Sequence, residues 1–261
     1  MDIRTIFFDV DGTLVDPKTH TIPNSTIETI KKLQSMGYLC CIATGRIYQD
    51  TKTTIAFNAV DWDGYVCCNG QEVLDKNHNY IYQESFTCEK AKEVIEVANA
   101  LGHPMCAMCN EDWFMTQEAD DNCRETMAVL KMKIPDVVEY TNQQVLAFIL
   151  FADRGYDYKP YMDIEGLRIN PSYFPYADVG IFGTSKAKAI EIFLKHHGLE
   201  GYIAFGDSMN DYDMLKCANV SIAMGQGDPR IQEIASFVTQ AVDDDGILYA
   251  FENCECFKNK D

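Results

Sequence analysis

Five short apolar runs, each broken off by a small or polar cluster, constrain this chain more than any other feature. They occupy residues 3–8 before Asp9, 38–43 before Thr44, 65–68 before Asn69, 202–205 before Gly206 and 220–224 before Gly225. Continuous apolar runs of this length read as strands buried on both faces, as in a parallel sheet covered by helices. Helical spacing alternates with them. Over residues 23–36, Ile27, Ile30, Leu33 and Met36 share a face, with Pro23 suited to the first turn and Gly37 to the end. Over 185–197, Ile190, Phe193, Leu194 and His197 repeat the pattern, closed by Gly198. The alternation predicts an α/β fold on a doubly wound parallel sheet. Ligands of such sheets bind beyond the carboxyl ends of the strands, and every polar cluster named above falls there.

The middle of the chain departs from this rhythm. A helix is expected at 89–101, a strand at 113–116, a helix at 119–131, a strand at 144–152 and extended segments at 167–170 and 173–182. Such a mixed order predicts an α+β domain at 81–178, inserted into a core made of 1–80 and 179–261.

Composition narrows the partners. With 47% apolar and 24% charged residues in 261, the chain has an ordinary globular balance and enough apolar mass for a sizeable core. Its 40 acidic residues against 22 basic ones give a net charge of −18 without a basic cluster, which argues against nucleic acid as a partner. A small phosphorylated metabolite is compatible, because a metal and a few local cations can overcome the overall field. No apolar stretch approaches the roughly 18 residues of a membrane span, and the opening residues do not read as a signal peptide. Eleven cysteines, with Cys40-Cys41 and Cys67-Cys68 inside apolar runs, fit small buried hydrophobes in a reducing, cytoplasmic setting. Cys106 and Cys109 have CxxC spacing but lack a second ligand pair. A monomer is the expectation.

Four clusters carry chemistry. In Asp9-Val10-Asp11-Gly12-Thr13, two carboxylates follow a strand two residues apart. At about 4 Å and an effective dielectric near 20, such charges repel by about 4 kcal/mol, which a divalent cation or a proton must offset. An ionised Asp9 suits attack on phosphorus, a protonated Asp11 suits donation to a leaving oxygen, and Gly12 allows a tight turn with amides facing phosphate. Taken alone, the segment is equally a strand running into an Asp-Gly turn. In the segment 206–211, Asp207 is a candidate oxygen ligand for a hard cation, although Ser208, Asn210 and Asp211 also suit a helix start. Thr44-Gly45-Arg46 offers a hydroxyl, amides and a guanidinium to an anion, or simply a strand-to-helix turn. Lys186 stands in the first turn of a helix capped by Thr184 or Ser185, where the helix dipole disfavours a cation; such a broken local rule often marks function.

All four clusters, in this order at strand ends of one sheet, resemble the haloacid dehalogenase (HAD) superfamily, and within it the Cof-type phosphatases with a type IIB cap. Residues 235–239 and 243–247 extend the resemblance toward the C-terminus. It implies a magnesium-dependent phosphomonoesterase with a Rossmann-like core and a cap domain that selects substrate. Asp9 is implied as the nucleophile forming an aspartyl-phosphate, Asp11 as general acid and then base, and Thr44 and Lys186 as phosphoryl ligands. Magnesium is implied to be held by Asp9, the backbone carbonyl of Asp11, and Asp207. Gly12, Gly45, Arg46, Asn69 and Asn210 line the implied substrate and phosphate site, and Asp211 orders the loop. Ala187 stands where glycine is common, and Gln226-Gly227 where Asn-Ala is expected. The segment 175–179 resembles sugar-phosphate phosphatases, which makes hexose or pentose phosphates the first expectation. Pyridoxal phosphate, flavin mononucleotide (FMN) or a nucleotide is the alternative. A phosphosugar mutase would need a bisphosphate activator, and a silent sugar-phosphate sensor would bind without turnover.

Overall fold

The computed structural model describes residues 3–110, 112–129 and 132–258. Its chain divides into two compact units, Met1–Gln83 with Ser185–Asp261, and Glu84–Thr184. The first unit contains β1 (Thr5–Phe8), β2 (Leu39–Ala43), β3 (Gly64–Cys67), β4 (Glu72–Asp75) and β5 (Tyr80–Gln83). The second holds β6 (Met105–Cys109), β7 (Phe114–Met115), β8 (Val145–Phe151), β9 (Leu167–Pro171) and β10 (Tyr176–Ile181). The chain then returns to the first unit with β11 (Ile203–Gly206), β12 (Val220–Ala223) and β13 (Phe237–Val238).

Among the described residues, the first unit forms one eight-stranded sheet in the order β13-β12-β11-β1-β2-β3-β4-β5. From β13 to β3 every neighbour is parallel, and β4 and β5 append an antiparallel hairpin. The period-2 alternation of strand side chains builds a core on each face. Ile6, Phe8, Cys40 and Ile42 join Ile30 and Leu33 of helix Asn24–Ser35 on one side. Phe7, Cys41 and Ala43 join Ala189, Ile190 and Phe193 of helix Lys186–His197 on the other. Helices on both faces make the sheet doubly wound. Adjacent Cys40 and Cys41 therefore point into different cores, as small hydrophobes.

The second unit is a five-stranded antiparallel sheet, in the order β7-β6-β8-β10-β9, with a core of its own. Phe148, Leu150, Ala177 and Val179 pack there with Val94 and Ala98 of helix Cys88–Leu101. Several details differ from the sequence expectations, among them the strand expected at 113–116, which is Phe114–Met115, and the segment expected at 173–182, which is Tyr176–Ile181. Unit boundaries fall after β5 and β10, so that both strands stay whole, whereas a break at 80/81 or 178/179 would cut them. The helix expected at 119–131 spans Asp121–Val129, and residues 130–131 lie outside the described residues. The β4–β5 hairpin has little apolar alternation to announce it. Its turn is held by Asp75 Oδ1, which accepts from the amides of Asn77 and Asn79 at 2.8 Å each. No helix among the described residues is long and apolar enough to cross a membrane.

Gly64 in β3 is where the sheet meets the helix that carries Lys186. A Cβ there would come within 2.2 Å of the Phe193 ring, itself wedged edge-on against Phe7 at a centroid distance of 5.6 Å. Gly64→Ala is expected to destabilise the protein by about 1–3 kcal/mol through overpacking, read from its urea midpoint. An unchanged midpoint would show that Phe193 yields freely.

Candidate active site

Three adjacent parallel strands end at one edge of the sheet. Because β1 lies between β2 and β11, the residues just past them, Asp9, Thr44 and Asp207, are brought together with strands about 4.8 Å apart. Asp9 remains anchored to the sheet, its amide donating to Phe205 O at 3.0 Å. Thr44 is fixed likewise by donation to Val66 O at 2.8 Å.

Lys186 supplies the charge. Ser185 caps its helix by accepting from the Lys188 amide, which places Lys186 in the first turn. The Lys186 side chain is fully buried, with Nζ donating to Asp9 Oδ1 at 2.5 Å and to Asp211 Oδ1 at 2.6 Å. Two carboxylates outweigh both the helix dipole and burial, so the ammonium is held charged more firmly than an ordinary lysine. On the acid side one ammonium is too little. Burial, reinforced by the Asp211 charge and opposed by Lys186, pushes the Asp9 carboxyl well above the usual carboxylate range. Burial and Asp211 likewise push Asp207 up to about 7.

Asp211 orders its loop. Its Oδ2 accepts from the amides of Asp207 at 3.0 Å and Ser208 at 3.1 Å, within a capping box formed with Ser208. Gly206 makes room, since a Cβ there would sit 2.7 Å from the Cβ of Asp211.

Gly12 differs from its expected part. Its amide donates to Val15 O at 2.9 Å, so that N–H is used inside the turn and is not offered to a phosphate. What the position needs is space: φ is +93°, and a Cβ would lie 2.4 Å from Asp207 Oδ2. Gly45 is similar, with Asn69 3.2 Å and Asn210 3.5 Å from where its Cβ would be. Asn210 Nδ2 donates to Asn69 Oδ1 at 3.3 Å, so the two amides form one wall. Thr44 Oγ1 accepts from the Arg46 amide at 3.2 Å. Arg46 forks onto Asp11 through Nε at 2.8 Å and Nη2 at 2.9 Å, and reaches Asp50 through Nη1 at 2.8 Å. Asp11 thus lies at the exposed rim as an ion-paired carboxylate, apart from the buried Asp9–Lys186–Asp211 group.

Three contributors escaped the sequence reading. Thr13 donates to Asp207 Oδ1 at 3.2 Å. Gln226 donates to Gly12 O at 2.5 Å and accepts from the Val242 amide at 3.0 Å, tying the Asp9 loop to the C-terminal segment. Its place in an atypical Gln-Gly pair was the available signal. Glu72, buried in β4, accepts from the Tyr48 amide at 2.7 Å and so anchors the helix that carries Asp50. No sequence pattern marks it.

The donor set fits a hard divalent cation. Asp9, Asp207 and Asp211 offer carboxylate oxygens within 4.8 Å of one another, against the single ammonium of Lys186. Asp211 already spends both oxygens on Lys186 and two amides. Asp9 and Asp207 are therefore the carboxylates left to face a cation, and burial together with the Asp211 charge is what raises both.

The chain is similar to known phosphatases in sequence and in fold. A family model described as haloacid dehalogenase-like hydrolase matches residues 6–251. The chain is 28% identical over 267 residues to YkrA of Bacillus subtilis, a protein named as a phosphatase, covering 99% of the chain and 100% of YkrA. It is 28% identical over 259 residues to the pyridoxal phosphate phosphatase YbhA of Escherichia coli, covering 91% and 93%. A solved HAD subclass IIB sugar phosphatase superposes with a TM-score of 0.84 at 29% identity, covering 97% of this chain and 99% of that one.

Removing the ammonium strands two buried carboxylates. Lys186→Met is expected to cost about 3–5 kcal/mol of stability at neutral pH. The deficit should shrink as pH falls, because the ammonium is what opposes the upward shift of Asp9; without it the Asp9 carboxyl rises further, and its protonation then favours the folded protein. Denaturation at several pH values checks this; a deficit that is constant with pH would rule the charge explanation out.

Proposed function

We propose, from the premise that the chain belongs to the haloacid dehalogenase-like hydrolase family and is a phosphatase of it, that it is a magnesium-dependent phosphomonoesterase for small metabolites, sugar phosphates first. The observation that carries the reading is the buried Lys186 ammonium holding Asp9 beside Asp207. Likeness to a solved sugar phosphatase favours the substrate class. Pyridoxal phosphate is the second reading, favoured by the likeness to YbhA.

In this scheme Lys186 holds one oxygen of Asp9, leaving the other to attack phosphorus. The ester P–O bond breaks as the bond to Asp9 forms, and Asp11 donates its proton to the departing alkoxide. Asp11, then ionised, takes a proton from water; the resulting hydroxide attacks phosphorus, phosphate leaves and Asp9 is regenerated. Thr44 and Lys186 stabilise charge on the phosphoryl oxygens, with Asn69 and Asn210 as polar wall. Arg46 is forked onto Asp11 in the free protein, and a substrate phosphate is the anion that competes for that fork. Its transfer to substrate would free Asp11 to take up from solvent the proton that it then donates to the leaving oxygen. Magnesium would be held by Asp9, Asp207 and the backbone carbonyl of Asp11, where it would supply Lewis-acid stabilisation of phosphoryl charge. The inserted unit Glu84–Thr184 is read as the cap, the domain that sets substrate specificity. The cytoplasm is the compartment this reading takes, one in which the eleven cysteines would stay reduced.

A metabolite panel assayed for phosphate release with magnesium tests the function: sugar phosphates are expected to lead. No release from any substrate, with Asp9→Asn unchanged from wild type, would end the phosphatase reading. Asp9→Asn should abolish the trapped phosphoryl-enzyme, whereas Asp11→Asn should slow both its formation and its breakdown. Magnesium at about 100 times its Kd should stabilise the folded protein by about 2.7 kcal/mol, and Asp207→Asn should remove that gain in a thermal melt. An equal gain in both proteins would exclude Asp207 as a ligand.

A further inference from the structure

Cys254-Glu255-Cys256 takes no part in the site described above, yet it brings two sulfurs to 3.1 Å from each other. Helix Gly246–Asn253 ends at Cys254, and a single 3₁₀ turn, Glu255–Phe257, follows. Packing imposes the turn. Phe257 is buried, its ring 6.0 Å from Tyr38 and 5.8 Å from Phe251, and its amide donates to Cys254 O at 3.2 Å. Cys254 is sunk in the core, whereas Cys256 is only half-buried and gives the pair a side toward solvent.

The other paired cysteines differ. Strand alternation turns Cys40 and Cys41 into opposite cores. Burial pushes the thiols of Cys106 up to about 12 and of Cys109 and Cys123 up to about 11, leaving them protonated at neutral pH. At Cys254 the hydrogen bond from Cys256 overcomes burial and holds the thiol down at about 6, with Glu255 opposing and Lys258 assisting. A thiolate with a thiol in contact is the arrangement from which oxidation proceeds to a disulfide instead of stopping at a single sulfur.

We propose that Cys254 and Cys256 are a reversible redox site, a dithiol that a hydroperoxide converts to an intrachain disulfide. The Cys254 thiolate attacks a peroxide oxygen, the O–O bond breaks, and Cys254 becomes a sulfenic acid while hydroxide or alkoxide departs. The Cys256 sulfur then attacks the sulfenic sulfur; the S–S bond forms as the S–O bond breaks, and water leaves with the Cys256 proton. Two electrons pass from the sulfurs to the peroxide, and a dithiol reductant returns them.

Treating the full-length protein with about one equivalent of hydrogen peroxide tests this, as a chemical dose matched to one site. The expected result is a loss of two hydrogens in the intact mass, mapped to the tryptic peptide 231–258 and reversed by dithiothreitol. The exposed Cys88 and Cys217 should still be open to alkylation. Cys256→Ser should lose the two-hydrogen change and accumulate a dimedone-reactive sulfenic acid at Cys254. Oxidation of Cys88 or Cys217 ahead of the pair would overturn the proposal, as would an undiminished two-hydrogen loss in Cys256→Ser. The wild-type peptide map decides alone if the variant does not fold.

Discussion

Lys186 reaches into the interior of the first unit with its ammonium between Asp9 and Asp211, and the loops at the sheet edge are arranged around that charge. Burying an ion is tolerable only when partners replace its water shell. Asp9 comes from the end of β1, Asp211 from the loop after β11 and Lys186 from a helix start, so one ammonium joins three separate parts of the chain. Asp211 extends the connection through the amides of Asp207 and Ser208. Gly12 and Gly206 are the spaces that let Asp207 and Asp211 approach.

The same arrangement leaves charge unbalanced, and that imbalance is its chemical content. Three buried or half-buried carboxylates face one ammonium. A structural ion pair would be neutral. Here the excess negative charge is suited to a divalent cation and an electrophilic phosphorus, in keeping with the family to which the chain belongs. Asp11 stands outside this group, on the exposed rim in the fork of Arg46. Two carboxylates two residues apart thus meet different surroundings, one buried against an ammonium and one exposed in a guanidinium fork.

Much of the core was legible because burial on both faces of a parallel sheet demands unbroken apolar runs. β1, β2, β3, β11 and β12 were found from such runs, and Asp9, Thr44 and Asp207 from the polar residues that end them. The Lys186 anomaly was legible for a similar reason: a cation at a helix start contradicts the local dipole, so its partner had to lie elsewhere. Glu72 was not legible, because its partners Tyr48, Tyr80 and Gln83 come from the helix after β2 and from β5, which only the folded sheet brings together. Nor was Gln226, whose partner Gly12 is 214 residues away.

The sequence by itself determined the alternation of strands and helices, the sheet edge at which polar residues collect, and the identity of the charged groups there, since these depend on local period and on what can be buried. Only the tertiary structure decided how the charges pair: Lys186 with Asp9 and Asp211, Arg46 with Asp11. It also decided that Gly12 serves as space for Asp207 and that two cysteines near the C-terminus face each other. Pairing depends on distances of a few ångströms between residues far apart in the chain, and a linear pattern of burial carries no measure of those distances.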